Sequence, residues 1–417
     1  MKKVIYSLLF LLVTLSFQSC LHDEKDIFSE NASERIEKAV TVDQQMLESS
    51  SNGWILHYYP GESYSGGGYV YLIKFKNGKA TVASEIAGSD STFTSDYAMV
   101  KDQGPVLSFD TYNPIMHSFG EATADNINSD EGDYEFVVSK ATTDSIVMTG
   151  KKWGNKMVMT RMPATTKWPV YLDSIGAMVD SVECNFKYMN GKDSVASVVI
   201  DPDTRIAKVT TSAGSTSLSF TPTTKGISFS EPLSVDGTSV QNLIWDGINE
   251  KFTSSSTSNI SLVFSPPTGY RKITDIAGTY DLYYYNNTMK YTFTLTPNAK
   301  KTGLVAHSST FPYDFTIAYS KAWGTLSITT QDLGAYGSYD NVKLCPWSLA
   351  SGGYFTWSSG VGMNLEEVSG KNFYYKFVDN GVWSYTVDSF IFVGYINGTR
   401  SGYLARLRYV TYLIKTN

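Results

Sequence analysis

The residue best placed for covalent chemistry is Cys20. Lys2 and Lys3 form a basic start, residues 4–17 are apolar but for Ser7, Thr14 and Ser16, and Ser19 is a small residue directly before the cysteine. An apolar run of about 14 residues is too short to span a bilayer, which takes about 20, and has the length of a signal-peptide core. An ordinary secretory cleavage site also wants a small residue at the −3 position, where Phe17 stands. The better reading is a lipoprotein signal over residues 1–19, in which the Cys20 thiol accepts a diacylglycerol, the chain is cut before it, and the acyl chains hold the protein on a membrane. The segment Ser16-Phe17-Gln18-Ser19-Cys20 departs from the usual Leu-Ala-Gly-Cys pattern at Gln18.

Other reactive side chains are sparse. Cys184 and Cys345 could pair in an oxidising compartment, but no Cys-x-x-Cys exists and buried core thiols are the simpler expectation. His22, His57, His117 and His307 have no His or Cys neighbour at ligand spacing, so no zinc or haem site is expected, and His117 beside Tyr112 and Phe119 reads as a hydrogen-bonded core or edge histidine. Residues 125–133 place oxygen-bearing side chains at alternate positions, as a calcium loop would, yet Glu131 takes the sixth place and glycine follows it. A solvated turn is the expectation there. Gly66, Gly67 and Gly68 lack a following Lys-Ser/Thr and read as a flexible hairpin loop, not a phosphate cradle; no other nucleotide-binding, nucleophile-elbow or metalloprotease motif is present. Glu366 and Glu367 are adjacent, so in a strand they face opposite ways and cannot flank one substrate. No catalytic residue and no cofactor are therefore expected.

Aromatic residues in loops carry more information. Tyr336 and Tyr339, within Gly334-Ala335-Tyr336-Gly337-Ser338-Tyr339-Asp340, and Trp347 after Pro346 do not fit strand alternation. Rings exposed beside small polar residues stack on sugars or grip a protein surface, because flat apolar faces gain contact area at small entropic cost. These three residues are the expected ligand contacts, against the alternative that they close a barrel mouth.

The elements that must hold them are mostly strands. The chain has 417 residues, with 29 Tyr, 21 Phe and 8 Trp and only 18% charged residues, a composition suited to pleated, half-buried surfaces. Asn-Gly or Asp-Gly pairs start at Asn52, Asn77, Asn190, Asp236, Asp246, Asn380 and Asn397 and supply the positive φ angles of tight hairpins. Two helices interrupt the pattern. One is capped by Asn31 with Glu34 three residues on and Ile36, Val40 and Leu47 on one face; the other follows Pro169 with Leu172, Ile175, Val179 and Val182 as its stripe.

A length near 400 residues exceeds one core. The expected architecture is mainly β. Two related helix-plus-antiparallel-sheet modules, residues 31–162 and 163–270, should share strand order; an all-β barrel or sandwich over residues 271–417, without a helix, should follow. An acidic tether over residues 20–30, beginning Leu21-His22-Asp23-Glu24-Lys25-Asp26, precedes them. The opening Gly278-Thr279-Tyr280 of the last unit is similar to the Gly-x-Trp that opens lipocalin-type barrels, with Tyr280 in place of Trp.

Charge narrows the partners. Loss of Lys2 and Lys3 with the signal leaves 32 basic against 40 acidic side chains, a surface that repels nucleic acid, and no Lys/Arg cluster offsets it.

Asn52-Gly53-Trp54 after a helix, Phe109-Asp110-Thr111-Tyr112-Asn113 with His117, Gly132-Asp133-Tyr134-Glu135-Phe136 and Thr149-Gly150-Lys151-Lys152 resemble the signature blocks of an uncharacterised Bacteroidota surface-lipoprotein family, domain of unknown function 4302. The resemblance covers about residues 20–165 well and the remainder loosely. It implies a protein accessory to outer-membrane nutrient-uptake systems, and no catalytic residue comes with it. The acidic stretch after Cys20 is similar to the export tag of such surface lipoproteins. A non-enzymatic binding role at the outer membrane, facing outward, with a glycan or peptide ligand and a possible transporter complex as partner, is the leading expectation. A structural or adaptor lipoprotein is the alternative, and a hydrolase ranks below both.

Overall fold

The computed structural model describes residues 30–416 apart from residues 103, 124, 125, 127, 128 and 258. The lipoprotein signal, Cys20 and all of the tether but residue 30 lie outside the described residues, as does part of the candidate calcium loop. None of the described helices is long and apolar enough to cross a membrane.

Helix α1 (Ala32–Glu48) begins where the sequence places it: the Asn31 side chain accepts the Glu34 backbone N–H at 2.9 Å. Its last turn is anchored, with Leu47 buried and its carbonyl accepting the Trp54 indole N–H at 2.8 Å. The sheet that follows is a consecutive antiparallel meander. Trp54–Tyr58 lies at its centre, paired with Tyr69–Lys76 on one side and with Lys156–Arg161 on the other, so the first and last strands close on each other. The two edges of this nine-stranded sheet, Phe93–Asp96 and Ala98–Lys101, are separated in the chain by Tyr97 alone. They are halves of one bent segment, and α1 packs across the adjoining strands. Glu48 at the helix end accepts the Tyr97 hydroxyl at 2.7 Å and so fixes the bend.

Helix α2 (Trp168–Ser181) follows, with proline in its first turn and Leu172, Ile175 and Met178 buried. Met178 takes the place expected of Val179. Eight strands from Asn185–Asn190 to Ile260–Phe264 then form a closed barrel in chain order. Both modules are thus a helix followed by a consecutive antiparallel meander, the shared strand order that the sequence pattern predicts, and in each the first and last strands also pair, which the sequence pattern does not predict. They differ in closure: hydrogen bonds complete the second ring, while the first is interrupted at Tyr97.

The third unit opens with a short helix that the sequence reading missed, α3 (Ile273–Ile276). Four residues are too few for a helical period to show. Gly278–Tyr284 pairs with Met289–Pro297 and with Tyr412–Lys415, closing a second eight-stranded barrel. Tyr280, Leu282 and Tyr284 are buried, and the Tyr280 hydroxyl donates to the Ile276 carbonyl at 2.7 Å. Phe293, Phe311, Phe315, Phe377 and Phe392 belong to the same core, so bulky rings fill this unit. Two insertions leave the barrel path and build a separate sheet from Asn341–Ser348, Ser389–Ile396 and Thr399–Leu407, with the short strands Gln331–Asp332 and Tyr354–Phe355 flanking Asn341–Ser348.

Candidate functional site

The inserted sheet has two faces. Val342, Leu344, Phe390 and Phe392 point into the barrel core, while Cys345, Trp347, Ile391 and Val393 form a small outer cluster under Phe355 and Tyr395. Trp347 is therefore no loop residue: it lies in Asn341–Ser348 and is 7% exposed. Pro346 misled the reading because proline breaks most strands. Here its carbonyl accepts the Thr356 N–H at 3.1 Å, on a flank covered only by two-residue strands, and the missing N–H costs no regular ladder bond.

Tyr336 and Tyr339 do face the surface, but not as a free pair. Their backbones bond each other in both directions at 3.0 Å. The Tyr339 ring lies flat against the sheet, where a Cβ on Gly394 would meet it at 2.4 Å. Tyr336 stays 49% exposed, its ring centroid 4.7 Å from that of buried Tyr313. Of the three predicted contacts, only Tyr336 offers a ring to solvent.

Other exposed rings lie elsewhere on and around this sheet, in two clusters on opposite faces, since Tyr354 opposes Ser348 and Phe355 opposes Trp347. Tyr354, Trp357, Tyr385 and Tyr403 are 54%, 58%, 40% and 46% exposed. Tyr354 stacks on Tyr385 with centroids 5.0 Å apart, and Trp383 meets Tyr385 edge-on at 5.0 Å. Around the short strand, Phe355 contacts Trp357 at 6.3 Å and Tyr403 at 5.9 Å.

Backbone irregularity brings Tyr403 to this face. Strict alternation would put Tyr403 opposite Arg400 and Arg406. Register shifts between Phe392 and Val393 and between Gly394 and Tyr395 leave Leu404 and Ser401 unpaired, so Arg400, Tyr403 and Arg406 oppose Tyr395, Val393 and Ile391. Those three partners are alternate residues of one strand, and the Arg-Tyr-Arg row therefore shares their face. The Arg400 and Arg406 guanidinium carbons lie 5.4 and 5.8 Å from the Tyr403 ring centre, with Arg400 also 5.8 Å from that of Phe355.

A family model described as Domain of unknown function (DUF4302) matches residues 24–247. The chain belongs to this family. The DUF4302 match runs well past residue 165, where the sequence resemblance thins, and takes in the first module and most of the second. A second model, for another domain of unknown function (DUF4987), matches residues 253–393, the last strands of the second barrel and most of the third unit, including most of the inserted sheet. No curated protein matches the chain. Among solved structures, one titled "Structure and mode of action of a mosquitocidal holotoxin" aligns at 8% identity and a TM-score of 0.17, covering 88% of this chain. The DUF4302 chain spans 51% of that structure's length.

The remaining sequence candidates resolve into structural roles. Cys184 and Cys345 are both free and buried, and burial pushes each thiol up to about 12. His307 bonds Asp314 at 2.8 Å on the surface, and His117 stacks on Tyr134 at 4.7 Å. Of the candidate calcium loop, the Asp133 carboxylate accepts the backbone N–H groups of Lys152 and Trp153, at 2.8 and 3.2 Å. Among the described residues no three potential ligands gather as a metal site would require. The triglycine is not a flexible loop. A Cβ on Gly67 would lie 2.2 Å from the Thr204 carbonyl, and one on Gly68 would lie 2.5 Å from that of Phe220, because this turn docks against the second barrel.

Proposed function

We propose that this protein is a lipid-anchored, outward-facing outer-membrane protein that binds a polymeric glycan as a non-enzymatic accessory of a nutrient-uptake system. The observation that carries the binding role is the pair of half-exposed rings Trp357 and Tyr403 around Phe355, on the outer face of the inserted sheet of the third unit. Side chains of this kind have one apolar face and one polar tip, and they stack on the C–H faces of sugars while the tip stays wet. Their spread over an edge strand and a loop suits an extended chain of sugars better than a single one. The anchoring half of the proposal is supported by the signal pattern ending at Cys20 and by the acidic residues after it.

Each ring contributes on the order of 1 kcal/mol, about a fivefold change in affinity. Trp357→Ala with Tyr403→Ala is expected to weaken retention on immobilised polysaccharides by more than tenfold while the thermal midpoint moves by a few degrees at most, since surface changes cost little stability. Retention equal to the parent protein across a polysaccharide panel would overturn the binding role. For the anchor, Cys20→Ala is expected to leave an unacylated precursor that does not partition into a detergent phase; equal partitioning would refute acylation at that residue.

A further inference from the structure

The ring surface is also a cationic one, which the composition of the chain does not lead one to expect. Acidic residues outnumber basic ones by 40 to 34, and several described lysines and arginines are paired with carboxylates, as in Arg205 with Glu85, Arg271 with Glu367 and Lys343 with Asp332. Arg400 and Arg406 are exposed and make no ion pair among the described residues. Both lean on Tyr403, and the two bulges place all three side chains on one face.

Bulges and charges also protect an edge strand from pairing with another chain. That duty accounts for the arginines but not for the ring between them. An exposed Tyr403 beside Phe355 and Trp357 adds apolar area to an edge that protection alone would keep polar. Arg400 and Arg406 oppose residues four apart on the neighbouring strand, so their bases are about 13 Å apart at about 3.3 Å per residue. A guanidinium presents a planar fork of donors matched to carboxylate and sulfate oxygens, and it keeps its charge at every physiological pH.

We infer that the ligand of this surface is an anionic polysaccharide, with a sugar ring stacked on Tyr403 and its carboxylate or sulfate groups held by Arg400 and Arg406. The inference rests on the glycan-binding reading above and adds the charge of the ligand to it. Spacing favours a polymer carrying an acidic group at intervals, so that both arginines are met by one chain. The overall negative charge of the protein then works as a filter against polyanions that do not engage this row.

The test is gel retardation of the full chain in gels cast with polygalacturonate, chondroitin sulfate, fully methyl-esterified polygalacturonate or dextran, each run at low and high salt. Retardation by polygalacturonate or by chondroitin sulfate is expected; retardation by polygalacturonate shows that carboxylates suffice, and retardation by chondroitin sulfate, which carries both groups, without retardation by polygalacturonate points to sulfate as the bound group. Esterified polygalacturonate and dextran should retard at least tenfold less, and added salt should weaken the interaction. Arg400→Gln with Arg406→Gln should abolish the preference for the acidic polymers, with the thermal midpoint checking that the sheet is intact. Equal retardation by neutral and acidic polymers would overturn the inference and leave glycan binding standing. No retardation by any polysaccharide would overturn both. A single-stranded oligonucleotide of matched charge that binds as tightly as the acidic polymers would also overturn it, since the row would then read charge and rings without regard to sugar.

Discussion

The two junctions of this molecule are built differently. Between the first and second modules, Arg205 and Glu85 pair at 2.8 Å with side chains only 10% and 7% exposed, and the Ser219 hydroxyl bonds the Tyr64 carbonyl. Helix α2 seals the same junction: Leu172 and Ile175 cover the outer side of the first sheet at Ile55, Val70, Leu72 and Ala83, while Met178 joins the core of the second barrel. Each such side chain contributes about 1.5–3 kcal/mol of burial. Between the second and third units the contacts are polar. Lys321 donates to the Asp180 carbonyl and Asn185 to that of Ala322, both at 2.6 Å, and two cavities of about 330 Å³ each flank Lys321. Both joints border cavities, about 300 Å³ at the first, so the difference lies in what holds them: a buried ion pair and an apolar helix face at the first, exposed polar contacts at the second. One family model spans the first joint, and the change to the other, between residues 247 and 253, falls within the second barrel, before its last two strands.

The largest effect should come from breaking the buried pair. Arg205→Ala leaves Glu85 charged in a site where burial already pushes its carboxyl upward, and is expected to cost about 3–5 kcal/mol. Arg205→Met with Glu85→Leu should recover most of that loss, because the pair is replaced by apolar groups of similar volume. Urea unfolding of the single and double variants decides it; a single variant within 1 kcal/mol of the parent would mean the joint is wetter than described. Gly68→Ala comes next. Its Cβ would lie 2.6 Å from the Tyr59 ring and 2.5 Å from the Phe220 carbonyl, and such overpacking costs about 1–3 kcal/mol. The same substitution at Gly78, which has nothing within 4 Å, gives the control for effects unrelated to docking, although its φ of +73° carries a backbone cost of its own.

These residues show where a sequence is readable. The Asn31 cap, the hairpin at Asn77-Gly78 and the antiparallel strands were legible because their signals are local: a side chain three residues from its partner, two residues with positive φ, apolar residues every second position. Gly67 and Gly68 were misread because their partners lie more than 130 residues away, and a glycine needed for close approach is identical in sequence to one needed for a turn. The exposed rings were less legible. Of the rings the sequence singles out in the third unit only Tyr336 is exposed, and Tyr403 takes its face from two bulges, which shift the phase of alternation without a mark in the sequence.

Acid should separate the two joints further. His57 is buried at the first joint with its Nδ1 2.6 Å from the Thr221 hydroxyl, and burial holds its pKa at about 4. Unfolded, it titrates near about 6.5, so as pH falls from there toward 4 the unfolded chain takes up a proton that the folded one does not. Stability is therefore full at neutral pH and declines across that window. The ring borders a cavity of about 300 Å³, wide enough for water, which limits the loss to about 2 kcal/mol. Comparing the pH 7 and pH 4.5 unfolding free energies of the parent and of His57→Gln isolates this residue from every other titrating group. An identical acid sensitivity in the two proteins would show that folding does not lower the affinity of His57 for a proton.

The smallest effect belongs to the second joint. Lys272 pairs with Glu250 across it, but the two side chains are 39% and 34% exposed, and the attraction is screened by solvent while two flexible side chains are held in place. Lys272→Ala is expected to cost about 0.2–1 kcal/mol, and less in 1 M salt. Its value lies in the contrast with Arg205. If the first joint is an apolar lock and the second a wet hinge, removing one cation from each should differ several-fold in cost, and only the second should depend on salt. A Lys272→Ala cost as large as that of Arg205→Ala would mean that water does not enter the second joint, and the third unit would then have to be regarded as locked to the other two.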